Sequence, residues 1–119
     1  MFYSVSVDEP ISLVTAILDG FWTVETAGAY WKELLRAGDM VGAAGGKPKF
    51  LIDAQGLEVQ SQDVVDFNTR AAADPRFSEA KAAFVVVSAL SGRQASRIKP
   101  GINHQAFKDL DQARKWLMA

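Results

Sequence analysis

The chain has 119 residues, about the modal size of one domain, and its 49% apolar and 23% charged content suits a packed core and excludes intrinsic disorder. Thirteen basic against fourteen acidic side chains leave a net charge of -1, so no general electrostatic pull draws it to nucleic acid or anionic lipid. The absence of cysteine excludes disulfide frameworks, thiolate zinc sites and cysteine nucleophiles.

The opening alternates, Phe2, Ser4 and Ser6 against Tyr3, Val5 and Val7, which is the period of a strand with unlike faces. Asp8-Glu9-Pro10 breaks it, and "ISLVTAIL", residues 11 to 18, predicts a second strand in an antiparallel hairpin, ended by Asp19-Gly20. From Thr23 the period changes. Val24, Ala27, Trp31, Leu34 and Leu35 make one helical stripe, with Thr23 as cap, Glu25 in the first turn and Gly38 as the expected stop. Asp39 to Pro48, with three glycines, reads as a mobile loop. "GAAGG", residues 42 to 46, is not a phosphate loop, because the lysine after it precedes Pro48 and a strand rather than opening a helix.

"KFLID", residues 49 to 53, is a short apolar strand of the kind buried on both faces, followed by a glycine-containing turn. A helix from Gln62 to Ala72 comes next, with Val64, Phe67 and Ala71 on its inner face and Val65 alongside. After the return in residues 74 to 81, "AAFVVVSA", residues 82 to 89, is the strongest strand and is placed at the sheet centre. "LSGRQASRIK" predicts a helix capped by Ser91 and ended by Pro100-Gly101. A short strand near "HQAF" and a helix from Leu110 to Met118, with Leu110, Ala113 and Leu117 inward, complete the chain. The expectation is a single α/β domain over residues 1 to 119, order ββαβαβαβα. Its mixed sheet is mostly parallel after the N-terminal hairpin, with flanking helices and right-handed crossovers.

No run approaches the roughly 20 apolar residues of a membrane span; Ala82 to Leu90, interrupted by Ser88, is the longest at about nine. "MFYSVSVDEP" lacks the basic region of a secretory signal, so a cytoplasmic location is expected. The single histidine, His104, reads as a solvated loop residue, and no second histidine exists for a two-histidine metal site. No G-x-S-x-G elbow is present, so a hydrolase using Ser61 or Ser91 with His104 is the least favoured reading, and no cofactor or metal is expected. Asp109 and Asp111 suit the start of the last helix through its dipole and need no chemistry.

Three places remain as candidate sites. Ser91 and Gly92 open a predicted helix with Arg93 and Arg97 one turn apart, which suits a small anion, the bland reading being a capped helix with two solvated arginines. Phe21 and Trp22 stand between a glycine and a helix cap, where Trp22 reads first as a staple of the chain on the helix and otherwise, with Phe21, as an interaction surface. Ser61 opens the helix at Gln62, where a cap serine is worth about 1 kcal/mol over alanine.

Taken together, the leading hairpin, "FLIDAQGLEVQSQDVVDF", "AAFVVVSALSGRQASRI" and "HQAFKDLDQARKWL" resemble the SpoIIAA-like group of bacterial proteins. That group has the STAS fold of anti-sigma-factor antagonists and is often placed beside the CRAL-TRIO lipid-transfer domain. The most specific element is the ending, Phe107 followed by acidic residues, an alanine and the pair Trp116 and Leu117. The resemblance implies a non-catalytic regulatory domain that binds a protein partner or a second copy of itself, with a carrier or sensor of a small hydrophobic or anionic ligand, such as a lipid, as the alternative. In regulatory members an aspartate-leucine-serine strand end precedes an aspartate-serine-serine-glycine turn whose serine is phosphorylated. Here Asp53-Ala54-Gln55 and Gln60-Ser61-Gln62-Asp63 occupy those places, so the resemblance makes Ser61 a candidate phosphate acceptor. The acid falls after it, at Asp63, and the glycine is missing.

Overall fold

The computed structural model describes residues 2–87 and 103–119. Strand β1 (Tyr3–Asp8) pairs antiparallel with β2 (Leu13–Gly20), Val5 opposite Ala16, as the alternation predicts. The reversal between them is a 3-10 turn over Glu9–Ile11 with Pro10 near its start, so Ile11 belongs to the turn and not to the strand. Ser12 leaves that turn in the left-handed region at φ 54.

Helix α1 (Val24–Ala43) is capped by Thr23, whose hydroxyl oxygen accepts from the Thr26 amide at 3.2 Å. It runs past the expected stop at Gly38 through much of the predicted loop. Gly38 is a contact position, because a Cβ there would lie 2.9 Å from Cζ of Phe50. The residue that ends the helix is Gly45, at φ 93, followed by a bond from the Gly46 amide to the Val41 carbonyl. The buried face is Ala27, Tyr30, Trp31, Leu34, Leu35, Ala37, Gly38 and Val41, whereas Val24 is exposed.

Strand β3 (Lys49–Leu57) continues through Gly56, which is in the strand and not in a turn; beside it lie the Asp19 carboxylate and the Leu18 carbonyl of β2. Helix α2 (Gln62–Ala72) buries Val64, Val65 and Ala72, and the return contains a one-turn helix, α3 (Pro75–Ser78), capped by Asp74. Strand β4 (Lys81–Val85) pairs with β3 and with β5 (His104–Phe107), and helix α4 (Leu110–Met118) starts on Asp109, which accepts from the Asp111 and Gln112 amides. Leu110 is exposed, not inward. The predicted strand ends 88 to 89 and the predicted helix capped by Ser91 lie outside the described residues.

The sheet order is β1-β2-β3-β4-β5, antiparallel at the first pair and parallel thereafter. The centre is therefore β3 and not β4. An unbroken apolar run reports burial on both faces, which β3 and β4 share, and does not rank one above the other. One face packs Val14, Ala16, Phe50, Ile52 and Phe84 against α1, α2 and α3; the other packs Leu13, Leu51, Ala83 and Val85 against Ala113 and Leu117 of α4. Side chains as enclosed as Phe50 and Phe77 each contribute roughly 1.5–3 kcal/mol by leaving water.

Candidate functional site

Because β2, β3 and β4 run parallel, their carboxyl ends open at one end of the molecule, the place where open α/β sheets commonly hold ligands. Gly20-Phe21-Trp22 leaves β2 there, Glu58 to Ser61 leaves β3, and Val86-Val87 leaves β4. Phe21 and Trp22 divide as a surface: Phe21 is 53% exposed and Trp22 only 2%. Trp22 is held as a staple. Its amide donates to Oε1 of Gln60 at 2.7 Å and its indole Nε1 donates to the Asp19 carbonyl at 2.7 Å. The Gln60 Nε2 group in turn donates to the carbonyls of Gly20 at 3.0 Å and Glu58 at 2.6 Å. One buried amide side chain thereby ties the β2–α1 junction to the β3–α2 junction.

Behind these loops lies a cavity of about 60 Å³ between α1, α2 and the sheet, walled chiefly by Trp22, Tyr30, Trp31, Ala54, Leu57 and Val86. Its aromatic wall is continuous. Trp22 meets Tyr30 edge to face at 5.2 Å between centroids, and Tyr30 meets Trp31 at 5.4 Å. The Trp31 indole Nε1 donates to Oδ1 of Asn68 at 2.9 Å, which fixes that ring to α2. Burial pushes the Tyr30 phenol far above its ordinary value of 10.0, so the wall carries no charge from it at any ordinary pH. Glu58 also borders the cavity and is itself exposed, which puts its carboxylate at the rim.

Ser61 occupies the expected N-cap position of α2, with extended backbone angles and its carbonyl accepting from the Val65 amide at 3.0 Å. Its hydroxyl does not cap an amide, however. It donates to Oδ1 of Asp63, and that same oxygen accepts from the Val64 amide at 3.1 Å. Asp63 has taken over the capping, and the Ser61 hydroxyl bond, helped by backbone amides, holds its carboxyl below the ordinary 3.8.

His104 corrects the solvated-loop reading. It is the first residue of β5, 3% exposed, with its ring 4.9 Å from that of Phe77. Its Nε2 lies 3.1 Å from the Phe77 carbonyl oxygen, which can only accept, so Nε2 carries the hydrogen. The strand start places His104 at the opposite end of the parallel sheet from Ser61. These two are not brought together. Ser91, Gly92, Arg93 and Arg97 lie outside the described residues, and among the described residues no group of three His, Asp or Glu side chains could hold a metal ion.

The opposite end carries a wider cleft of about 870 Å³ bordered by Lys47, Lys49, Arg76 and Lys81. Its central cations are committed within the chain. Arg76 bridges Asp39 at 2.9 Å and Asp74 at 2.8 Å, while Lys81 donates to the Trp116 carbonyl and sits 4.6 Å from that indole. Sequence reasoning missed Tyr30, Gln60 and Asn68. Tyr30 falls on the helical stripe and could have been found there, whereas nothing local marks Gln60, whose partners are up to 40 residues away.

Among solved structures, the chain is similar to an uncharacterized protein of the DUF3478 family with a SpoIIAA-like fold from Shewanella loihica PV-4. The likeness has a TM-score of 0.64 at 19% identity, over 98% of this chain and 93% of that one. The fold is SpoIIAA-like. No protein-family model matches the sequence, and no curated protein matches it. The SpoIIAA-like likeness thus rests on the whole five-stranded arrangement and not on a shared catalytic motif. Among the described residues no helix is long and apolar enough to cross a membrane.

Proposed function

We propose that this chain is a non-catalytic binding domain of STAS type that docks a protein partner through the carboxyl end of its parallel strands. The observation that carries the reading is where large apolar side chains stand in water. Phe21 is 53% exposed, Val59 41% and Val87 60%, on the successive segments that leave β2, β3 and β4. Phe2, 48% exposed, joins them, since β1 runs antiparallel and its carbonyl accepts from the Asp19 amide. Apolar residues gathered on one rim above a rigid frame are the ordinary composition of an interface centre. The near-neutral net charge favours recognition by shape and apolar contact over electrostatic steering. A non-catalytic role is supported by the burial of His104 at the far end of the sheet from Ser61.

The test is affinity capture from extract with the tagged chain, compared with a Phe21→Glu, Val59→Glu double variant and an Ile11→Glu control at the opposite end of the sheet. Specific proteins retained by the unaltered chain and the control, and lost by the double variant, are expected. Retention of the same proteins by all three would overturn the docking surface. Sedimentation of the unaltered chain and the double variant shows whether the partner is a second copy.

A further inference from the structure

Strand β1 ends the sheet on one side, and its outer backbone edge has no partner strand among the described residues. The Asp19 amide donates to the Phe2 carbonyl, and these two residues stand directly opposite in the β1–β2 register, so the backbone groups of Phe2, Ser4, Ser6 and Asp8 turn toward β2. Those of Tyr3, Val5 and Val7 turn away from it, leaving a row of N–H donors and C=O acceptors along the edge. Natural edges of this kind are ordinarily shortened, bulged, or guarded by charge and proline. None of these guards is present on β1: its pairing with β2 has no register shift, and residues 2 to 7 carry no charge and no proline. The opposite edge strand, β5, has only four residues against six in β1.

The strand is also complementary to itself. Turned antiparallel about Val5, a second copy sets Val5 against Val5, Tyr3 against Val7 and Ser4 against Ser6, so that outward backbone groups meet outward backbone groups. Tyr3, Val5 and Val7 are half-buried against the helical layer while Ser4 and Ser6 face water, so the same register lays apolar beside apolar and hydroxyl beside hydroxyl. The two Asp8 carboxylates fall at opposite ends and do not repel. Burial first, and then the charge and hydrogen bond of Glu33, raise the Tyr3 phenol above 10.0, which sets Glu33 of α1 over β1. Met40, seven residues on and 52% exposed, shares that flank of the helix and adds an apolar side chain above the edge. From the unguarded edge, the self-matching register and this flank together, we infer that the chain pairs with a second copy of itself through β1, in a two-fold dimer whose sheet runs on from one copy into the other. The contact uses none of Phe21, Val59 and Val87, so it is independent of whether a protein docks on the rim.

Sedimentation of the unaltered chain from micromolar to millimolar concentration should show a reversible dimer. Ser4→Lys with Ser6→Lys sets like charges opposite one another twice across the contact and should weaken it by about tenfold, while both exposed positions leave the fold intact. Ser4→Lys with Ser6→Glu sets opposite charges at the same two places, in this register, and should restore the dimer. Hydrogen exchange adds a readout on the backbone: the amides of Tyr3, Val5 and Val7, which β2 does not use, should gain protection at high concentration and lose it on dilution. The Phe21→Glu, Val59→Glu variant should dimerise as the unaltered chain does. A monomer at every concentration, a dimer indifferent to the like-charged pair, no recovery with the opposite-charged pair, no protection of the three amides, or loss of the dimer in the rim variant would each overturn the assignment.

Discussion

Ser61 shows how little a position says without its hydrogen bonds. The residue sits at the N-cap, but its hydroxyl donates to Asp63 instead of accepting from a helix amide. Ser61→Ala should therefore cost less than the roughly 1 kcal/mol of a capping serine, as measured by urea denaturation at neutral pH. Its effect appears in titration. Asp63 has a depressed folded-state value, so whatever stability it contributes is present above 3.8 and is lost as pH falls through its folded pKa. In Ser61→Ala the first cause of the depression is gone, and carboxyl NMR should find Asp63 titrating closer to 3.8 than in the unaltered protein. An unchanged midpoint would mean that the backbone amides hold the carboxylate alone.

At the scale of elements, α1 carries the clearest lesson. Glycine is both a helix stop and the residue of closest approach, and the sequence does not distinguish the two. Gly38 proved to be the contact and Gly45 the stop. The two roles predict opposite responses to alanine. At Gly42 an added Cβ meets nothing within 4 Å, so Gly42→Ala should stabilise by about 0.5–1 kcal/mol through helix propensity. At Gly38 the same propensity gain opposes a clash with Phe50, which is itself fully enclosed and cannot swing away. Overpacking of this kind costs about 1–3 kcal/mol, so Gly38→Ala should be destabilising on balance. Chemical denaturation of the pair decides it, and equal stabilisation by both would show that Phe50 yields.

Across the described residues, one fully buried side chain on the one-turn helix α3 joins most of the frame. Phe77 of α3 meets Trp31 of α1 at 5.1 Å, Phe50 of β3 at 5.2 Å, Phe84 of β4 at 6.1 Å and His104 of β5 at 4.9 Å between centroids. Phe77→Ala should cost about 3–5 kcal/mol, a large share of the stability of a domain this size, seen as a lower denaturation midpoint with an unchanged slope. The aromatic chain from Phe77 through Trp31 and Tyr30 to Trp22 also runs along the N-terminal half of α1. It ends at the cavity and beneath the exposed rim.

What the sequence by itself determined is the succession and type of the longer described elements, though not the one-turn α3, because strand and helix periods and the Thr23 cap are local signals. The resemblance to SpoIIAA-like proteins was legible for the same reason, being carried by that succession. Only the tertiary structure decided that β3 is central, that His104 is enclosed, and that Gln60 ties two junctions 38 and 40 residues distant. Those facts depend on which strands become neighbours and on partners remote along the chain. The proposed docking surface belongs to the same class: Phe21, Val59 and Val87 are unremarkable one at a time. Parallel pairing of the strands before them sets all three at one end.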